Sequence, residues 1–142
     1  MDSDRTKSGG VDIEALLRHA NDCPFYHLLG FEVVEAGLGT ARIRMPFKPE
    51  LLQFQNAVHG GAIFSIADAA VAVALLTQAE PGEKALTIEG KLNYLAGVTE
   101  GDLEAVGRIV HRGRSIALGD AEVFRSDGKL CAKGLVTYTL RR

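Results

Sequence analysis

Residues 53–72 read Gln-Phe-Gln-Asn-Ala-Val-His-Gly-Gly-Ala-Ile-Phe-Ser-Ile-Ala-Asp-Ala-Ala-Val-Ala. One imidazole, His59, and two glycines, Gly60 and Gly61, stand directly before an apolar run, and one carboxylate, Asp68, stands inside it. A buried charge is costly unless it is paired, hydrogen-bonded or neutralised. An Asp between Ala67 and Ala69 therefore points to a purpose. A desolvated carboxylate can attack an acyl carbon or activate a water. A helix beginning at Gly60 leaves backbone N–H groups unpaired at its positive end. Glycines there let a ligand approach closely, and such an N–H suits the oxyanion of an attacked acyl carbonyl. His59 and the amides of Gln53 or Asn56 are placed to orient that carbonyl or the loop.

Spacing adds a constraint. His59 and Asp68 are nine positions apart. At ~100° and 1.5 Å per residue they face opposite sides of a helix, ~13 Å apart along it. If both act on one substrate atom, a two-fold dimer resolves the geometry: the helix start of one subunit meets the mid-helix Asp of the other. Each signal alone is weak. A lone His before a helix is more often a structural partner, a Gly-Gly pair is usually a turn, and a buried Asp is divided between structure and function.

The elements that must hold these groups are legible. Asp12 can cap a helix through Ala20, with Ile13, Leu16, Leu17 and Ala20 on one face. A short turn or helical piece covers Pro24–Gly30. Phe31–Glu35 and Thr40–Phe47 read as strands, the second alternating Ala41, Ile43, Met45 and Phe47 with Arg42 and Arg44. A loop, Lys48–Val58, leads to a helix over Gly60–Gln78 that is apolar on every side and so expected to be surrounded by protein. Lys84–Ala96, Asp102–Arg112, Ser115–Arg125 and Lys129–Leu140 pattern as strands joined by short glycine-containing turns. Four strands in a row with one buried helix predict an α+β domain, an antiparallel β-sheet wrapped around a central α-helix.

Composition bounds the rest. A chain of 142 residues with 46% apolar content fits one globular domain, expected over residues 11–142 after a disordered tail over residues 1–10. The formal charge of −2 argues against a nucleic-acid partner. Met1–Gly10 lacks the apolar core of a signal peptide. The apolar run Ala62–Leu76 is shorter than the ~20 residues of a membrane span. Cys23 and Cys131 have no metal-ligand spacing, which predicts free thiols in the cytoplasm and no metal or redox cofactor.

The order His-Gly-Gly, then Ile-Ala-Asp-Ala-Ala, resembles the hotdog-fold acyl-CoA thioesterases of the phenylacetic-acid-degradation type. His59, Gly60, Gly61 and Asp68 match that pattern, and the element order fits over Phe31–Leu140. The resemblance implies a hotdog fold and hydrolysis of an acyl-CoA thioester, coenzyme A being part of the substrate. It implies Asp68 as nucleophile or general base and the Gly60 N–H as oxyanion hole. His59 then orients the thioester carbonyl or the loop. Thr87, in Thr-Ile-Glu-Gly-Lys-Leu-Asn-Tyr-Leu, falls where relatives place a Ser or Thr near the attacking water. Sites at a subunit interface are also implied, with a dimer as the minimal unit and a tetramer as the expected assembly. Relatives commonly carry Asn six residues before the His, where Gln53 stands, and Gly three before, where Asn56 stands.

Arg112 and Arg114 flank one turn, and guanidinium groups suit the phosphates of coenzyme A; a solvated hairpin tip is the bland alternative. Two other functions compete. A non-catalytic acyl-CoA-binding or sensing protein on the same fold gains nothing from an acyl-facing carboxylate. A hotdog hydratase needs a different Asp/His pairing.

Overall fold

The computed structural model describes residues 7–8 and 10–142. The tail expected over residues 1–10 lies mostly outside them. Lys7–Ser8 forms a short strand, β1, against β2, Val11–Asp12. Asp12 then caps α1, Ile13–Asn21, accepting a hydrogen bond from the Ala15 N–H at 3.1 Å. Pro24 opens α2, Pro24–Leu29, and Gly30 closes it. β3 (Glu32–Gly37) and β4 (Thr40–Met45) form a hairpin. A 3-10 turn at Pro49–Leu51 precedes α3, Gly60–Leu76, and four strands follow: β5 (Lys84–Tyr94), β6 (Leu103–Arg112), β7 (Ile116–Phe124) and β8 (Leu130–Arg141). The strands lie within one or two residues of the boundaries their patterning predicts.

The six long strands make one antiparallel sheet in the order β3-β4-β6-β7-β8-β5, with β3 and β5 at its edges. Its inner face packs on α3. The helix backbone rests directly on the sheet at Gly107, where a Cβ would stand 2.4 Å from the Ala70 carbonyl. α3 ends at Leu76, two residues before the expected Gln78, and Thr77 caps it. The buried Thr77 hydroxyl donates to the Ala74 carbonyl and accepts from the Gly39 N–H, tying the helix end to the β3–β4 turn at 2.6 and 2.7 Å.

The chain covers α3 on all sides but one. Ile63, Ile66, Ala67, Ala70, Val71, Val73 and Ala74 are buried. Gly61, Phe64, Ser65, Asp68, Ala72 and Leu76 are not, and they recur at helical spacing as one stripe. The expected all-round enclosure is therefore incomplete within one chain. Edge strand β5 is exposed along nearly its whole length, with Leu86 at 61% and Ile88 at 56%. Among the described residues, no helix is long and apolar enough to cross a membrane.

Candidate active site

A tight hairpin presents His59. Leu52 bridges to Val58, the Gln53 N–H donates to the Ala57 carbonyl at 2.8 Å, and the Asn56 N–H donates to the Gln53 carbonyl at 3.0 Å. The turn requires a left-handed residue, and Asn56 supplies it with φ 58°. Asn is among the few non-glycine residues that enter this region readily, so Asn56 has a backbone task here. The Gln53 side-chain oxygen accepts from the Gln55 N–H inside the same turn. The Val58 N–H on the Val98 carbonyl (2.8 Å) and the His59 N–H on the Leu51 carbonyl (2.7 Å) pin the loop to the body.

His59 caps α3. Its Nδ1 accepts from the Gly61 N–H at 2.8 Å. A neutral imidazole accepting at Nδ1 carries its proton on Nε2, so the outer edge of the ring is a donor. The His59 carbonyl takes the N–H groups of Ala62 and Ile63 at 2.9 and 3.3 Å. That leaves the Gly60 N–H as the donor at the helix start with no acceptor among the described residues. The Gly60 carbonyl is held from the far end of β5: the Tyr94 hydroxyl donates to it at 2.7 Å. Burial pushes the Tyr94 phenol up, which keeps it protonated as a donor.

Asp68 lies on the uncovered stripe of α3 and is half-buried. Thr87, on β5, donates to its Oδ1 at 3.1 Å. Tyr138, on β8 and paired with Thr87 across the sheet, donates to the same oxygen, and its hydroxyl also lies 2.8 Å from the Asp68 backbone carbonyl. Burial, then the Asp68 charge, push the Tyr138 phenol strongly up. Tyr26 of α2 is shifted the same way, by burial first and by the charges of Cys23 and Asp68 after it. Tyr94 and Tyr138 are absent from the sequence reading. The signal for Tyr138 is its register: it alternates with Val136 and Leu140 on the buried face, and a buried phenol needs a partner.

The candidate residues thus form two clusters. One holds Gln53, Asn56, His59, Gly60, Gly61 and Tyr94; the other holds Asp68, Thr87 and Tyr138. Beside the first is a cavity of about 260 Å³ with walls from Phe25, Leu29, Leu51, Leu52 and Ala62, reaching His59 and Gly61. A larger open groove of about 710 Å³ beside Leu17, Arg18 and Val33 carries none of these groups. Arg112 and Arg114 do not act as a free pair. Arg112 Nη2 donates to both carboxylate oxygens of Glu83, at 2.6 and 2.7 Å, and the Glu83 side chain is only 3% exposed. Arg114 is exposed. Among the described residues no three His, Cys, Asp or Glu side chains converge as metal ligands would.

A carboxylate steadied by hydroxyls and a helix-start N–H without an acceptor are the parts an acyl-transfer site needs. Comparison with known proteins gives the family. The family model of the thioesterase superfamily matches residues 55–132. The acyl-coenzyme A thioesterase PaaI of Escherichia coli is 29% identical over 105 residues, 73% of each chain. A conserved protein from Pseudomonas aeruginosa superposes with a TM-score of 0.82 at 32% identity, covering 87% of this chain and 98% of the other. A variant of the phenylacetic acid degradation protein PaaI from Thermus thermophilus gives 0.76 at 28%, covering 82% and 98%. The chain belongs to the thioesterase superfamily and is a PaaI-like thioester hydrolase of the hotdog fold.

Proposed function

We propose that the chain hydrolyses an acyl- or aryl-coenzyme A thioester to the free acid and coenzyme A, in a dimer whose active sites each draw on both subunits. One observation carries this reading: the two clusters hang from opposite ends of one exposed edge strand. Thr87 touches Asp68 and Tyr94 touches Gly60. Seven residues of strand separate them, roughly 23 Å. Two copies of β5 paired antiparallel about a two-fold between Gly90 and Lys91 would set Thr87 of one copy opposite Tyr94 of the other. Asp68 of one subunit then meets Gly60 and His59 of the next, and the uncovered stripe of α3 gains a cover. The similarity to an acyl-coenzyme A thioesterase supports the substrate class.

In this arrangement the thioester carbonyl oxygen receives the Gly60 N–H, and His59 Nε2–H orients the carbonyl or the loop. Asp68 either attacks the acyl carbon, forming an anhydride that water then opens, or takes a proton from water as the water attacks. Both routes break the C–S bond, consume one water and deliver a proton to the departing thiolate. The reaction so written uses only groups of the chain, the substrate and water. Arg114 is the guanidinium of its turn left to meet coenzyme A phosphates, Arg112 being held by Glu83. The free thiols of Cys23 and Cys131 fit a reducing cytoplasm. A tetramer of two such dimers is the assembly we infer.

Thiol release from a panel of acyl- and aryl-CoA esters tests the reading. Wild type should release coenzyme A, and Asp68→Asn should lose on the order of 10²-fold or more. No release from any CoA ester by folded wild type would overturn the substrate class. Near-normal turnover by folded Asp68→Asn would overturn the role of Asp68.

A further inference from the structure

Tyr138 lies on the side of Asp68 facing the sheet, with only 3% of its surface exposed. A phenol has one hydrogen to give. Two acceptors are in reach, the Asp68 backbone carbonyl and Asp68 Oδ1. The ionised oxygen is the stronger acceptor, so the hydrogen goes to Oδ1. Thr87 reaches that same Oδ1 from the neighbouring strand. Asp68 Oδ2 meets no hydrogen-bond donor among the described residues. The two oxygens of one carboxylate are therefore unlike.

We propose that Tyr138 is a positioning residue for catalysis: with Thr87 it ties down Oδ1 of Asp68 and leaves Oδ2 as the oxygen that reacts. This rests on the reading of Asp68 as the reacting carboxylate. A carboxylate free to turn about Cβ–Cγ presents either oxygen at many angles. Two donors on one oxygen hold the plane, because any rotation breaks both hydrogen bonds. Restricting a reacting group to its attack geometry lowers the barrier without tightening the hold on substrate. The device is stable across the working range, since burial and the Asp68 charge both keep the Tyr138 phenol protonated. The donors also come from adjacent strands in register, Thr87 opposite Tyr138, so the sheet fixes their separation.

The test is steady-state hydrolysis of one good CoA ester by Tyr138→Phe, Thr87→Val, Thr87→Ser and Asp68→Asn, each checked for folding by circular dichroism and melting. Tyr138→Phe should lower kcat about tenfold with KM within about twofold, the pattern of an interaction spent on the reacting group rather than on binding. Thr87→Val should fall in the same way, and Thr87→Ser, which keeps the hydroxyl, should return to within about twofold of wild type. A merely structural Tyr138 would lower the melting temperature and leave the kcat of the folded fraction unchanged, which overturns the proposal. Unchanged kcat in Thr87→Val overturns the shared hold on Oδ1 even if Tyr138→Phe does not fold. Full activity in Asp68→Asn overturns the assignment of Asp68 itself, and the proposal with it. An inactive Asp68→Asn beside an unaffected Tyr138→Phe overturns the proposal alone.

Discussion

Tyr94 crowds the place of a side chain at residue 60: its hydroxyl donates to the Gly60 carbonyl at 2.7 Å, and its ring lies 3.3 Å from the place of a Cβ, so one of the two would have to give by a few tenths of an ångström. The room at this position is thus limited by a strand residue 34 positions away, on β5. The same contact sets the plane of the Gly60–Gly61 peptide at the start of α3.

From that contact, Gly60→Ala should push Tyr94 aside and tilt the helix start. Turnover should drop about tenfold, less than the 10²-fold or more of a removed oxyanion donor, because alanine keeps the N–H and only shifts it. Adding Tyr94→Ala restores room for the Cβ and should recover the melting temperature more than the turnover. Melting curves and kcat of the two variants check this.

Mixed dimers test the shared site. Asp68→Asn removes one cluster, and His59→Asn removes the imidazole of the other while keeping a good helix cap. Each alone should be nearly inactive. Co-expressed with random pairing, one two-fold interface yields about a quarter of the wild-type sites. Tagged purification shows whether subunits mixed. Mixing without recovered activity would place the whole site in one chain.

Arg112 and Arg114 should separate cleanly. Arg114→Ala should raise KM for CoA esters and spare thioesters without phosphates, and added salt should mimic it, since exposed charges are screened. Arg112→Ala should instead cost stability, about 3–5 kcal/mol, because Glu83 is left buried without its partner. Chemical denaturation measures the second effect, and salt-dependent kinetics the first.

Asn56 provides a backbone test. Asn56→Gly keeps the left-handed turn and should leave kcat within about twofold of wild type. Asn56→Val should cost about 1 kcal/mol or more, since a branched side chain is disfavoured at φ 58°. Loss of activity in stable Asn56→Gly would show that the side-chain amide itself acts.

The local parts of this protein were legible in its residues. The strand patterning located β4 to β8, and the order His59, Gly60, Gly61, Asp68 marked both clusters because helix geometry relates positions nine apart. Tyr138 and Tyr94 escaped because they reach their partners only across the folded sheet, 70 and 34 residues away. Arg112 looked free for the same reason: Glu83 follows the helix stop and meets the β6 end only in three dimensions. Asn56, weighed as an amide donor, also holds a left-handed dihedral angle that spacing does not encode. The uncovered stripe on α3 was invisible because Phe64, Ala72 and Leu76 read as apolar whether or not their own chain covers them.

The exposure of β5 reaches beyond the active site. It is an eleven-residue edge with no proline and with Leu86 and Ile88 in the open. Such an edge is a template for joining any other extended chain. A freshly made chain therefore carries an adhesive edge, and other nascent chains can pair with it wherever it stays uncovered. Substitutions on this strand should register first as lost soluble yield. A screen scored on total activity in cell extracts would mistake such a loss of protein for a failure of chemistry.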